Sequence, residues 1–250
     1  MFLFGPYWIL LIPGLLFTLW AQWKVRSTFE RYSKVPAASG MTGAQVAREL
    51  LAEVDTAVTE VANAPQAAQA LRAVQVEATP GVLTDHYDPS ARVLRLSEPI
   101  YSGSSLAALG VAAHETGHAF QHATNYGPMG LRSALVPMAS IGSNLAFPLF
   151  VAGMFLGGMN QQGGFGLLLM NAGILLFSLA VVFTVLTLPV EFNASRRAIR
   201  LLQDGNYLRP DEVAPTKAVL DAAALTYVAA AATAILSLVR LILIRNSRED

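Results

Sequence analysis

No cysteine occurs anywhere in the 250 residues. Disulfides, thiolate metal ligands and a thiol nucleophile are thereby excluded. Charge is scarce as well: Lys, Arg, Asp and Glu together make up 14% of the chain, against about a quarter in a soluble domain. The deficit is local, because residues 1–23, 133–190 and 222–239 contain none of the four. The formal net charge is zero, which removes the electrostatic case for nucleic acid as a partner. Histidine is rare too, with His86, His114, His118 and His122 the full set. A basic stretch ahead of the first apolar run is also missing. The charges follow that run, at Lys24 and Arg26, the arrangement of a retained anchor rather than a cleaved leader.

Uncharged apolar stretches of about 20 residues read as membrane helices. The pattern predicts four spans, at residues 2–22, 135–157, 166–188 and 222–244. The middle pair shares one uncharged stretch, with Gly157 to Gly164 supplying the turn. The chain then divides into an anchor (1–23), a polar block (24–133), a hairpin (134–189), a short polar segment (190–221) and a last span with its tail (222–250). Basic residues beside spans favour the cytoplasm. Lys24, Arg26, Arg31, Lys34, Arg132, Arg196, Arg197 and Arg200 fall on one side if the N-terminus is outside. The expectation is a multi-pass protein of the cytoplasmic membrane, in contact with the lipid bilayer, whose two polar segments meet in the cytoplasm. Arg245 and Arg248 in the tail run against this rule, softened by Glu249 and Asp250.

The motif that carries chemistry is His114-Glu115-Thr116-Gly117-His118. On a helix the two histidines lie on one face, one turn apart. Two imidazoles so placed can bind one Zn²⁺, with Glu115 as general base on a water that the metal activates. The flanking run from Val111 to Phe120 holds no other charge and no proline, so it suits a buried helix. A catalytic zinc takes three protein ligands and keeps one position open. His122 continues the i, i+4 series, but on an unbroken helix it stands about 12 Å from His114. No glycine lies between His118 and His122 to turn the chain, so His122 reads as a supporting or structural residue. Glu191 is the better third ligand. It is the first charged residue after 58 uncharged ones, and a two-span hairpin returns it to the side that His114 occupies. The competing reading makes Glu191 an interfacial carboxylate near a helix start.

HETGHAFQH, the upstream DHYDPSARVLRLSEPIYSGSSLAALGVAAHE and the downstream RSALVPMASIGSNLAFPLF and LPVEFNASRRA resemble the neutral zinc metallopeptidases of bacterial membranes, the YugP-like family. The resemblance runs nearly end to end, opening with LLIPGLLFTLWAQWKVRSTFERYSK. More distantly the plan is similar to the HtpX-type and CAAX-prenyl membrane metalloproteases, in which an E-x-x-A-D segment supplies the third ligand. Glu191 and Ala194 fit that segment, while Ser195 stands where the acid would be. That acid supports a ligand histidine in the similar proteins, so what supports one here is left open. The resemblance implies a peptidase without naming its substrate. It also implies that an edge strand beside the motif helix holds extended substrate by main-chain pairing. The hairpin around Arg92–Leu96 is the candidate, with an ordinary packed hairpin as the alternative.

Val74–Glu77 and Arg92–Leu96 read as short strands, with Asp88-Pro89-Ser90 as turn chemistry. Thr42 and Gln45 form a capping-box start for a helix to about Val54. Residues 55–73, broken by Pro65, read as two short helices. Ser104 or Ser105 caps the motif helix, and Pro210-Asp211-Glu212 opens a helix leading into the last span. His86, in a run of polar residues, could donate to an oxyanion or simply bond Asp85 or Asp88. Arg196 and Arg197 could serve the same oxyanion or be the basic residues expected just outside a span, and Asn193 could orient substrate or lie on a helix surface. Asn171 and Asn144, inside spans, read as interhelical hydrogen-bonding residues.

The fold expected is mainly α: a polytopic membrane protein with about four transmembrane helices and a small α+β zincin-like block containing the HExxH helix. The function expected is a zinc-dependent endopeptidase of the gluzincin type, with one Zn²⁺ per chain on His114, His118 and Glu191. Its substrate would be a peptide or protein, membrane proteins included. Two rivals are a non-catalytic metal-binding scaffold or adaptor and a small transporter. The transporter would need ionisable groups inside the spans, and those are nearly free of charge.

Overall fold

A computed structural model describes residues 6–53, 64–159 and 164–247. Helix α1 (Leu11–Tyr32) follows a 3-10 turn at Pro6–Leu10; α2 (Gly43–Ala52) and α3 (Ala64–Arg72) come next. Strands β1 (Gln75–Thr79), β2 (His86–Asp88) and β3 (Val93–Ser97) lead to the short α4 (Glu98–Tyr101). Four helices complete the chain: α5 (Leu106–Ala123), α6 (Gly127–Met159), α7 (Gly164–Asp204) and α8 (Pro210–Asn246). The residues fall into two compact units. One comprises Met1–Ala21, Leu131–Leu188 and Thr226–Asp250; the other comprises Gln22–Gly130 and Pro189–Leu225.

The first unit is built from apolar lengths of α1, α6, α7 and α8, which among the described residues are the four helices long and apolar enough to cross a membrane. Their outer surfaces are apolar: Phe147 is 56% exposed, Leu168 61% and Leu175 66%. A surface of that kind suits lipid rather than water. Inside, α6 and α7 approach backbone to backbone. A Cβ on Gly153 would lie 2.5 Å from the Gly166 carbonyl oxygen, and one on Gly173 would lie 2.7 Å from that of Ala146. Without a hydrophobic drive between helices in lipid, small residues of this kind permit the close packing that holds them. Phe150, Met154, Met170 and Leu241 form the buried cluster. Asn171 accepts a hydrogen bond from Arg245 Nε at 3.0 Å, an α7–α8 pair of the interhelical kind expected for it. Asn144 lies in α6 with an exposed side chain. Of the turn expected between the middle spans, residues 160–163 lie outside the described residues.

The helices outrun the apolar stretches that the sequence marks. Helix α7 continues through Pro189 to Asp204 without a break, so Glu191 is a mid-helix residue. A proline forfeits one backbone hydrogen bond and crowds the preceding turn, and here the helix continues past it.

In the second unit α5 is the central element. Ser105 caps it, its Oγ accepting from Ala108 N at 3.1 Å. Its Leu106, Leu109 and Ala113 pack with Val46 and Leu50 of α2 and with Ala198 and Leu202 of α7. Each fully buried leucine contributes about 1.5–3 kcal/mol relative to exposure. Helix α2 starts on the expected capping box: Gln45 N donates to Thr42 Oγ1 at 3.2 Å, and Thr42 N donates to Gln45 Oε1 at 2.8 Å. Helix α3 takes Pro65 into its first turn, where a missing N–H costs nothing. The first of the two short helices expected in 55–73 falls mostly on residues 54–63, outside the described residues.

The sheet has the order β1-β3-β2. Strands β2 and β3 form the expected hairpin, with Asp88 Oδ1 accepting from Ser90 N (2.9 Å) and Ala91 N (3.0 Å) in the turn. Strand β1 pairs with the other side of β3, in parallel. This corrects the expectation of an edge at Arg92–Leu96. Strand β3 is central and paired on both sides, so the sheet's edges are β1 and β2.

Candidate metal centre

Helix α5 presents His114, Glu115 and His118, and α7 presents Glu191. His114 Nε2 lies 3.3 Å from Glu191 Oε2, and His118 Nε2 lies 3.5 Å from the same oxygen. One donor atom from each of the three residues falls within 4.8 Å of the others. The imidazoles stand nearly perpendicular, 86° apart, with centroids 4.8 Å from each other. In a tetrahedral zinc site with ligand bonds near 2.0–2.1 Å, neighbouring donors stand roughly 3.3 Å apart. The two measured separations match that edge length, and the donor set of two nitrogens and a carboxylate oxygen is one zinc accepts. The three residues could hold a metal ion.

Close contact between α5 and α7 makes this convergence possible. A Cβ on Gly117 would lie 2.8 Å from the Ala194 carbonyl oxygen. The glycine inside the motif is therefore where the α7 backbone rests, and Ala194, fully buried, is the small residue that meets it. Glu115 is buried as well, at 9% exposure.

Both imidazoles are held from behind. Gln121 is wholly buried one turn after His118. Its Nε2 donates to the Val190 carbonyl at 2.8 Å and to Asn193 Oδ1 at 3.0 Å. Because that nitrogen must face two acceptors, Oε1 faces His118 Nδ1, 2.9 Å away. An amide oxygen can only accept, so Nδ1 carries the proton and the Nε2 lone pair points toward Glu191 and the candidate metal position. Asn193 Oδ1 also accepts from Arg197 Nε at 2.8 Å. The string Arg197–Asn193–Gln121 thus fixes the tautomer of His118. On the other imidazole, Ser195 Oγ lies 3.1 Å from His114 Nδ1. The serine that replaces the expected acid occupies the supporting position itself. Burial opposes a charge on His118, but the carboxylates of Glu191 and Glu115 outweigh it and raise its pKa; the proton so favoured would sit on Nε2, where a metal ion would take its place.

The remaining candidates fall elsewhere. Asn193 is neither a free substrate contact nor a bare surface residue, since its oxygen holds Gln121 and Arg197. Arg196 turns back on its own helix, Nε donating to the Phe192 carbonyl at 3.3 Å. His86 lies on β2, exposed, with Nδ1 2.8 Å from the Thr84 carbonyl oxygen rather than on Asp85 or Asp88. Asp85 accepts instead from Ser97 N (2.7 Å) and Ser97 Oγ (3.0 Å). His122 is exposed and meets Tyr87 Oη at 2.9 Å through Nδ1. Gln121 escaped the sequence reading. Its signal was a polar residue three positions after His118 on the buried face of an apolar helix.

Comparison with known proteins agrees with this geometry. Residues 7–246 match the family described as "Putative neutral zinc metallopeptidase". The chain is 45% identical over 242 residues to the "Putative membrane protease YugP" of Bacillus subtilis (strain 168), covering 96% of this chain and 97% of that protein. No solved structure matches. A match over nearly the whole length, on a chain whose fold brings the motif histidines onto Glu191, makes this protein a member of that zinc metallopeptidase family.

Proposed function

We propose that the chain is a membrane-embedded zinc endopeptidase of the gluzincin type, with one zinc ion per chain held by His114, His118 and Glu191. The observation that carries the reading is the meeting of three donor atoms within 4.8 Å of one another, with both imidazole nitrogens 3.3 and 3.5 Å from Glu191 Oε2 and Glu115 inside the motif. Zinc, when bound, supplies a Lewis acid that brings the pKa of a water molecule toward about 7 and polarises a carbonyl. Glu115 takes the proton from the attacking water and passes it to the departing amine. Gln121 and Ser195 hold the imidazoles in the tautomer and orientation that ligation needs. His86 is given no oxyanion role, because its Nδ1–H donates to the Thr84 carbonyl and Nε2 of the neutral ring is left an acceptor.

The protein is assigned to the cytoplasmic membrane with this site facing the cytoplasm, on the strength of the basic residues that flank its apolar helices. Membrane-proximal peptides, including those of misassembled membrane proteins, suit a site whose ligand helix α7 is also an apolar candidate span. The purified protein is expected to carry one zinc by mass spectrometry and to cleave casein or an unfolded membrane protein. Chelation should stop cleavage and added zinc restore it. Full activity after removal of every divalent ion would refute the mechanism. Metal binding without turnover would favour the scaffold reading.

The support to His118 gives a second expectation. Gln121→Leu keeps the volume but removes the acceptor, and zinc affinity should fall about 10- to 100-fold. Competition with a chromogenic chelator measures it, with circular dichroism to verify helix content. Unchanged affinity would remove Gln121 from the centre.

A further inference from the structure

A cavity of about 230 Å³ lies in the unit that holds the metal centre, between α3, the β2–β3 hairpin and the end of α5. Its polar lining is Gln66, Tyr87, Arg92, His122 and Asn125. We propose that this cavity is a carboxylate-binding subsite, taking an acidic side chain or the C-terminal carboxylate of a peptide substrate. The proposal rests on the peptidase reading.

The donor inventory points to an anion. Arg92 brings a permanent positive charge and five N–H donors. Among the described residues its side chain has no hydrogen bond or ion pair. Tyr87 Oη and His122 Nδ1 are 2.9 Å apart. If the phenol donates, the imidazole proton sits on Nε2; if Nδ1 donates, the phenol O–H is free to donate elsewhere. Either way the pair keeps one donor for a guest. Partial burial of the imidazole ring, although the residue as a whole is exposed, and then the charge of Arg92 lower the His122 pKa, and burial pushes Tyr87 up to about 12, so both are neutral near pH 7. Gln66 and Asn125 add amide N–H groups. Among the described residues no carboxylate lines the cavity. The nearest acid on β2, Asp88, is engaged by two turn amides and by Arg95 at 3.1 Å.

The backbone is consistent with a dedicated site. Arg92 (φ 55°) and Asn125 (φ 51°) both adopt the left-handed conformation. Asparagine tolerates it; arginine enters it at a cost, and the result is a guanidinium at this cavity. Position matters too. Tyr87 belongs to the edge strand β2, and His122 follows His118 by one turn of α5. An extended peptide running along β2 past the metal centre would bring a side chain or its terminus to the cavity. A cavity of about 230 Å³ has room for a carboxylate with its short stem.

The test uses the full-length Glu115→Gln protein in detergent, so that binding is read without turnover. Fluorescently labelled eight-residue peptides are compared as twins: glutamate against glutamine at each position, and C-terminal acid against amide. Anisotropy should give a Kd about tenfold lower for the twin whose carboxylate reaches the cavity, as expected for a charge-assisted hydrogen bond. Added Arg92→Gln should erase that difference and leave the amide twins unchanged, while Arg92→Lys should restore part of it. Whether the glutamate series or the terminal acid carries the effect identifies the source. Inorganic phosphate should compete with the carboxylate twins. If peptides bind but twins bind alike, or if the difference survives Arg92→Gln, the subsite is wrong and the peptidase reading stands. If no peptide binds and the parent protein cleaves none, both fall.

Discussion

Glu115→Gln should leave zinc bound at one equivalent and reduce peptide cleavage about a hundred- to ten-thousandfold, the range that a general base contributes. Glutamine has nearly the same shape and still offers a carbonyl oxygen, but it cannot take a proton at neutral pH. The neighbouring helix face is unaffected, because His114 and His118 are held by Ser195 and Gln121 and not by residue 115. The two readouts are zinc content by mass spectrometry and turnover of a quenched peptide. A variant that cleaves as fast as the parent would assign proton transfer elsewhere. One that loses its metal would make Glu115 a structural member of the centre.

Glu191→Ala should have the complementary signature. Glu191 is 2% exposed and its Oε2 is the point on which both imidazole nitrogens converge. Without it two neutral imidazoles remain on one helix turn, short of the three ligands that a catalytic zinc takes. Zinc content should fall from one equivalent to a small fraction, and activity with it. Excess zinc should restore cleavage at best partially. Helix content should persist, since the α5–α7 contact rests on Gly117, Ala194 and the leucine cluster. A variant that retained zinc with the affinity of the parent would mean that the third ligand lies elsewhere. Together the two substitutions separate rate from retention.

Much of this was legible because it is local or follows from counting. The i, i+4 spacing fixes two histidines on one helix face, and an uncharged stretch of two-span length returns the chain to its starting side. Capping at Thr42 and Ser105 and the Asp88 turn were readable for the same reason: each is settled within four residues. What escaped depends on distant partners. That β3 lies in the middle of the sheet follows from parallel pairing with β1, a strand separated from it by β2 in the sequence. Hydrophobic alternation in a five-residue strand carries no record of such a neighbour. The uncharged pattern ends the third span at residue 188, yet α7 runs on through Pro189 to Asp204. The partners of Gln121, Val190 and Asn193, lie 69 and 72 positions away, so nothing beside it in the chain marks its role.

The supporting partners of the two imidazoles have a chemical consequence. Zinc-binding histidines elsewhere commonly lean on a carboxylate, which feeds electron density through the ring to the ion. Here one leans on a hydroxyl and the other on an amide whose far anchor is a cation. An ion seated on such rings would be electron-poor, a stronger acid toward its fourth partner but more loosely kept. Its occupancy would then follow the level of exchangeable zinc around it, so that supply of the ion could itself set how much of the protein is competent.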